Sequence, residues 1–225
     1  MHAAPATTTP AALDVRPLTA SIGATIHDLE LRHASDDQVA DVRSAVLRHR
    51  VVFLRGQSLD DEGLRSVAGR FGTLARSPLH QLLGRDTTTS VIEDTAERPP
   101  AGFAWHTDLS WTVAPPSLGF LHALEIPAVG GDTMWWNQVA ALDTLLDATR
   151  DLCLQLGAEH RCDPSLLASV ERHHGAEVAT ALRRAHAPAT HPLVRRHPET
   201  GEASLFLSPM YLHHLVGVDR RRGRS

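Results

Sequence analysis

The sequence predicts an α+β fold, with short strands towards both ends and a helical insertion between them. Three observations predict it. Apolar residues recur at helical spacing after Ser35, Asp60 and Asn137; β-rich runs stand before and among these segments; and 163–187 reads as helix ahead of a last pair of strands. Residues 15–26 read as short strands turning at Gly23. Ser35 caps a helix, Gln38 completes a capping box three residues on, and Val39, Val42 and Val46 form the apolar stripe. Residues 51–54 read as a compact buried strand. A second helix follows Asp60, with Leu64, Val67, Ala68 and Phe71 on one face and Gly72 as its stop. Residues 87–92 are β-rich, and extended structure continues through 126, including the strand-like run 118–124. Asn137 caps a helix bearing Val139, Leu142, Leu145 and Leu146. The 163–187 helix breaks at Gly175, and strands at 191–194 and 203–207 flank a turn at Pro198-Glu199-Thr200-Gly201. Residues 1–12 read as a disordered lead-in and 13–225 as a single domain.

Composition narrows the function classes. At 225 residues the chain suits one sizeable core. A net charge of −4 and a pI near 6.4 give no general affinity for nucleic acid or an anionic membrane. No run approaches the length of a membrane span. All 22 basic residues are arginine, which excludes Schiff-base or nucleophilic chemistry by lysine. Cys153 and Cys162, with no signal peptide ahead of them, read as reduced thiols of a cytoplasmic protein and not as a redox pair.

The chemistry-bearing stretch is Trp105-His106-Thr107-Asp108-Leu109-Ser110-Trp111, followed downstream by Gly130-Gly131-Asp132-Thr133-Met134-Trp135. A histidine and a carboxylate two residues apart on an extended segment share a face and can grip one metal ion. They are two-thirds of a 2-His-1-carboxylate triad, the set that leaves positions open on non-haem iron. Alone the pattern is weak, because 15 histidines in a chain of this size yield about one His-x-Asp by chance. Context strengthens it: Trp105 and Trp111 flank the pair, and a Pro115-Pro116 turn leads into the strand-like run. His197-Pro198-Glu199 reads as a turn. His173 and His174 lie on a helix, where adjacent residues do not share a face. No HExxH-type zinc site is present.

Five ordered blocks resemble the taurine dioxygenase family of iron(II)- and 2-oxoglutarate-dependent oxygenases. They are 45–55, Phe71-Gly72, Trp105-His106-Thr107-Asp108, Gly130–Trp135 and 191–201, and the resemblance runs from Leu13 to about Val218. It implies a distorted double-stranded β-helix, or jelly roll, with flanking and inserted helices. It also implies Fe(II) held by His106 and Asp108, 2-oxoglutarate as co-substrate met by the Thr133 hydroxyl, and hydroxylation of a small organic acid by dioxygen with release of succinate and CO2. Trp135 and Trp136 are expected to pack beside that site. Members acting on taurine carry a histidine, a tyrosine and an asparagine where this chain has Ser77, His80 and Gly102. The substrate pocket is therefore expected to take another sulfonate, a sulfate ester or an aryloxyalkanoate. The partners implied are the small-molecule substrate and dioxygen, with no nucleic acid and no membrane; a homo-oligomer stays open.

The family's distal histidine ligand, and the arginine that pairs with 2-oxoglutarate, have no counterpart in 219–225. Two readings stand. In one the chain is C-terminally truncated, with closing strands and third ligand missing, and is by itself a poor oxygenase. In the other His213 or His214 supplies the ligand in a remodelled site. Truncation is preferred because jelly-roll sheets need their edges closed. An alternative to the oxygenase is a non-catalytic remnant or binding module on the same scaffold.

Overall fold

The computed structural model describes residues 12–85, 87–93, 95 and 104–217. The lead-in through Ala11 and the arginine-rich 219–225 lie outside them. The chain divides into two compact units, Met1–Gly72 with Gly130–Trp136 and Thr73–Val129 with Asn137–Ser225.

In the first unit, β1 (Asp14–Pro17) runs antiparallel to β2 (Ala24–His27), which pairs in parallel with β3 (Val52–Leu54). Gly23 turns the chain into β2 at φ +89°. Helix α1 (Asp36–His49) connects the parallel pair. Its capping box is complete: Ser35 Oγ accepts from Gln38 N at 3.2 Å and Gln38 Oε1 accepts from Ser35 N at 2.9 Å. The buried stripe is Val39, Val42 and Ala45, so the inward face passes through Ala45, and Val46 is only half-buried. These residues pack with Ile26, Leu29, Leu31 and Val67 of α2 (Asp61–Gly69). Asp60 caps α2 through its carboxylate, and the helix ends at Gly69, three residues short of the expected stop. Arg70, next in the chain, instead donates to Ala34 O and Asp36 Oδ1, both at 2.6 Å. The strand expected to be buried, β3, is half-buried, because it sits at the edge of the β1-β2-β3 sheet.

The second unit begins with α3 (Pro78–Leu82). After the first unit's 130–136 segment come α4 (Gln138–Asp143), α5 (Asp147–Gln155), β4 (Gly157–His160), α6 (Pro164–His174) and α7 (Ala176–Ala185). The strands β5 (Ala189–Pro192), β6 (Val194–Arg196), β7 (Ala203–Leu205) and β8 (Leu212–Val216) complete it. Asn137 caps α4 as expected, but the helix stops at Asp143, and Leu145 and Leu146 fall in the link to α5. Gly175, at φ +91°, separates α6 from α7. The antiparallel sheet has the order β5-β4-β8, and β6 and β7 form the hairpin around the Pro198 turn. Among the described residues no strand forms in 87–93 or 118–124. Leu121 and Leu124 there are 71% and 73% exposed, since alternating apolar residues make a strand only where a partner edge accepts their backbone.

Ser35→Ala removes one half of the α1 capping box. It is expected to lower stability by about 0.5–2 kcal/mol, read as a shifted denaturant midpoint at unchanged slope.

Candidate functional site

The motif does not lie on an extended strand. Residues 105–107 are irregular and 108–111 form a turn in which Leu109 takes φ +52°. The turn closes through Ser110 N to Thr107 O at 3.2 Å and Thr112 N to Leu109 O at 2.9 Å. The cause is packing: Trp111, 3% exposed, sinks into a core of Leu167, Val170, Ala179, Leu182 and Tyr211, and drags the chain out of any strand geometry.

Side chains far along the sequence hold this turn. His191 on β5 is buried, and its Nε2 donates to Ser110 O at 2.9 Å and Thr112 O at 3.1 Å. The buried Ser208 hydroxyl accepts from Thr107 N at 3.0 Å, and Met210 N donates to Trp105 O at 3.2 Å. His160 on β4 is fully buried, lies flat on Phe206 at 5.4 Å and meets the edge of His191 at 5.6 Å. Its ring nitrogens make no well-formed hydrogen bond, although the Ser110 backbone lies close enough to favour the charged ring weakly.

His106 and Asp108 are brought together as the sequence suggested, by the turn and not by strand alternation. Nδ1 of His106 lies 2.8 Å from Ala104 O. A carbonyl only accepts, so Nδ1 carries a proton, which leaves Nε2 as the nitrogen that a metal ion can take. That Nε2 stands 3.2 Å from Asp108 Oδ1. Metal bonds of about 2.0–2.2 Å to imidazole and carboxylate place neighbouring ligand atoms about 3 Å apart. The pair therefore fits two adjacent positions on one ion, with the backbone carbonyl fixing the tautomer that ligation needs. Both side chains are solvent-accessible. Among the described residues, no further His, Cys, Asp or Glu joins them in a three-residue ligand group. The Tyr211 ring packs edge-on to His106 at 6.0 Å; burial, reinforced by the Asp108 charge, pushes its phenol up to about 12 and keeps it neutral.

The other predicted residues are placed as follows. Thr133 is exposed on the irregular segment 130–136 of the first unit, which bends through Gly130 and Gly131 at φ +83° and +72°. Trp135 packs edge-on against Phe53 at 5.2 Å, as a packing residue should. Ser77 is half-buried just ahead of α3, and His80 on that helix has a buried Nδ1 without a hydrogen-bond partner. Gly102 lies outside the described residues. An open cleft of about 530 Å³ beside α3 is lined by Leu74, Arg76, Gln81, Gly84 and Arg85. His213 and His214 converge on Glu159, not on His106 and Asp108. His173 bonds back to Ser169 O on an exposed helix face, and His197 Nδ1 accepts from Glu199 N in the hairpin turn. Cys153 and Cys162 are both free thiols; burial, with the Asp163 charge second, pushes Cys162 up to about 11. No local pattern signals that His160, His191 and Ser208 surround the turn, since each sits about 50 to 100 positions from it and is linked to it by tertiary packing.

Known proteins resemble the chain over nearly its whole length. The family described as taurine catabolism dioxygenase TauD, TfdA family matches residues 14–225. The alpha-ketoglutarate-dependent sulfate ester dioxygenase of Pseudomonas putida is 32% identical over 208 residues, 87% of this chain and 66% of that protein. The alkylsulfatase of Acinetobacter baylyi is 31% identical, covering 92% of this chain and 66% of that one. The chain thus spans just under two-thirds of these two relatives. A crystal structure of a taurine dioxygenase from Burkholderia xenovorans superposes with a TM-score of 0.67 at 31% identity, covering 94% of this chain and 69% of that one. The mixed α/β fold is therefore shared with these dioxygenases.

His160 gives the site's surroundings a pH signature. Burial first, and unfavourable electrostatics with neighbouring His191 second, push its pKa down from 6.5 to about 4. An unfolded imidazole takes up a proton below about 6.5 that the folded one refuses until about 4, so acidification favours the unfolded state across that window. The melting temperature is expected to fall as pH drops from 6.5 to 4, and His160→Phe to flatten that slope. An equal slope in the variant would assign the loss to other groups.

Proposed function

The chain belongs to the taurine catabolism dioxygenase TauD, TfdA family, and from that premise we propose that it acts as an Fe(II)- and 2-oxoglutarate-dependent dioxygenase. The reaction proposed is hydroxylation of a small organic acid with release of succinate and CO2. One observation carries the reading: His106 Nε2 and Asp108 Oδ1 stand 3.2 Å apart, with Nδ1 committed to the Ala104 carbonyl. Neutral imidazole and carboxylate suit Fe(II), and no thiolate competes at the pair. Bound iron would supply the redox chemistry with dioxygen.

The chain's own residues supply position. His106 and Asp108 occupy two neighbouring coordination places and leave the rest for a third protein ligand and co-substrate. The reading takes that ligand, and the arginine that meets 2-oxoglutarate, from the part of the family pattern that follows the segment matching 204–218. The chain's strands are read as part of a double-stranded β-helix. Thr133 is assigned the hydroxyl that donates to a carboxylate of 2-oxoglutarate. Buried Tyr211, held neutral, gives His106 an apolar flank and excludes water from one side.

The substrate class follows from charge and from what is missing. Ser77, His80 and Gly102 stand where taurine enzymes carry a histidine, a tyrosine and an asparagine, so the groups that would hold taurine's sulfonate and amine are mostly replaced. Arg76 and Arg85 line the cleft beside α3 and favour an anion without requiring an amine. Relatives named for sulfate esters and alkyl sulfates support a sulfate ester ahead of taurine.

Anaerobic titration with Fe(II) tests the ligands. His106→Ala and Asp108→Ala are each expected to weaken ferrous binding at least tenfold, roughly the cost of losing one ligand-shell contact, while His173→Ala leaves it unchanged. Equal affinity in His106→Ala and the parent would sink the assignment. Substrate-dependent succinate formation by the whole protein tests the class: an alkyl sulfate should exceed taurine in kcat/KM by roughly 10- to 100-fold. The reverse order would overturn the sulfate-ester reading and leave the iron ligands standing.

A further inference from the structure

The outward face of the sheet β5-β4-β8 carries a second group of side chains of metal-ligating type. In the antiparallel pairing of β4 with β8, Glu159 faces His214 but His160 faces Leu212, so His213 is one residue too many on β8. Such a bulge turns two successive side chains towards a single residue of the partner strand, where a regular strand would send them to opposite faces. Both imidazoles therefore meet one carboxylate. His213 Nδ1 and His214 Nδ1 are 2.9 Å apart, and each lies 3.5 Å from Glu159 Oε1. Among the described residues these three form the group whose ligand atoms all lie within 4.8 Å of one another.

We propose that Glu159, His213 and His214 bind a divalent transition ion of the imidazole-preferring class, such as Zn(II), Ni(II) or Cu(II), at a site separate from His106 and Asp108. The triangle has the size of a ligand face. Bonds of about 2.1 Å separate neighbouring ligands by about 3.0 Å in octahedral and about 3.4 Å in tetrahedral geometry, and the three edges fall at those values. Two nitrogens and one carboxylate oxygen favour the later first-row ions over Mg(II) or Ca(II), which take oxygen ligands. Without an ion, the Nδ1–Nδ1 contact needs a proton between the rings; a cation takes the proton's place and uses the carboxylate as well. Three protein ligands leave at least one position for water. The one opposing feature is Arg161, whose Nε donates to Glu159 Oε1 at 2.8 Å and places a positive charge beside the site. Ligation competes with that contact, which sets the sign of one test.

The experiment is equilibrium dialysis of the full chain against Ni(II) and Zn(II), counting bound ions, with circular dichroism to confirm folding. It is run in the His106→Ala/Asp108→Ala background so that only the second site is counted. One ion per chain is expected there, lost or weakened at least tenfold in His213→Asn, in His214→Asn and in Glu159→Gln. Arg161→Gln should tighten binding, an effect that ordinary surface histidines would not show. Cu(II) bound to the same background should show an electron paramagnetic resonance spectrum split by two equivalent-type imidazole nitrogens, reduced to one in either histidine variant. Unchanged stoichiometry and affinity in all three ligand variants would overturn the proposal, and so would a copper spectrum indifferent to His213 and His214. Loss of Fe(II) binding at His106 would leave this result untouched, and the reverse holds too.

Discussion

The hydrogen bonds from one buried imidazole hold the motif in place. Residues 104–112 have no strand ladder and no helix, so their backbone groups have no regular partners. His191 Nε2 reaches two of them, the carbonyls of Ser110 and Thr112, from 81 and 79 positions away. A buried carbonyl left without a donor costs about 1–3 kcal/mol, more than a typical bond returns, so the turn is defined by what it would lose on moving. Ser208 and Met210 pin the other side through Thr107 N and Trp105 O. With both flanks tied and Trp111 sunk in the core, the short stretch between them has one geometry, and His106 and Asp108 project from it into solvent together.

Histidine is used in opposite ways within a small space. His106 is half-exposed, with its tautomer set by Ala104 O and its other nitrogen offered outward. His160 is sealed against Phe206 and His191, neutral, with no well-formed hydrogen bond at either nitrogen. His191 between them is a donor by position. A charge on His160 would face His191 across 5.6 Å in an apolar setting, and burial has removed that possibility at neutral pH. The buried pair thus packs as a fixed shelf beneath the turn, while His106 and Asp108 face water.

Local chemistry was legible in the sequence; long-range pairing was not. Ser35 with Gln38, Asp60, Asn137 and Gly175 announced helix starts and breaks because a cap acts over three residues, and the structure has each of them. The His106-x-Asp108 pair was legible as a motif, but its turn was read as a strand, since Leu109 adopts a left-handed conformation that no periodicity signals. Strands β4 and β8 went unseen because each is short and exists only through its partner. The strand-like run at 118–124 misled for the same reason in reverse, since among the described residues no strand pairs with it. The family resemblance supplied iron and 2-oxoglutarate, which composition and spacing alone left open.

The bulge on β8 shows why such sites escape a sequence reading even when their residues are conspicuous. His213-His214 is visible as a pair, yet adjacent residues on a regular strand point to opposite faces and share nothing. What joins them is a register shift of one residue against β4, and that shift is fixed by pairs on both sides: Leu215 against Ala158, with Val216 against Gly157, and Leu212 against His160. Ala158 and His160 are fully buried, so neither half of the register can slip without turning core residues outward. The same core that seals His160 beneath the His106-Asp108 turn therefore forces its neighbour Glu159 outward and gathers two imidazoles onto it. One strand, through alternation, serves the packed side of the fold with one residue and presents a ligand with the next.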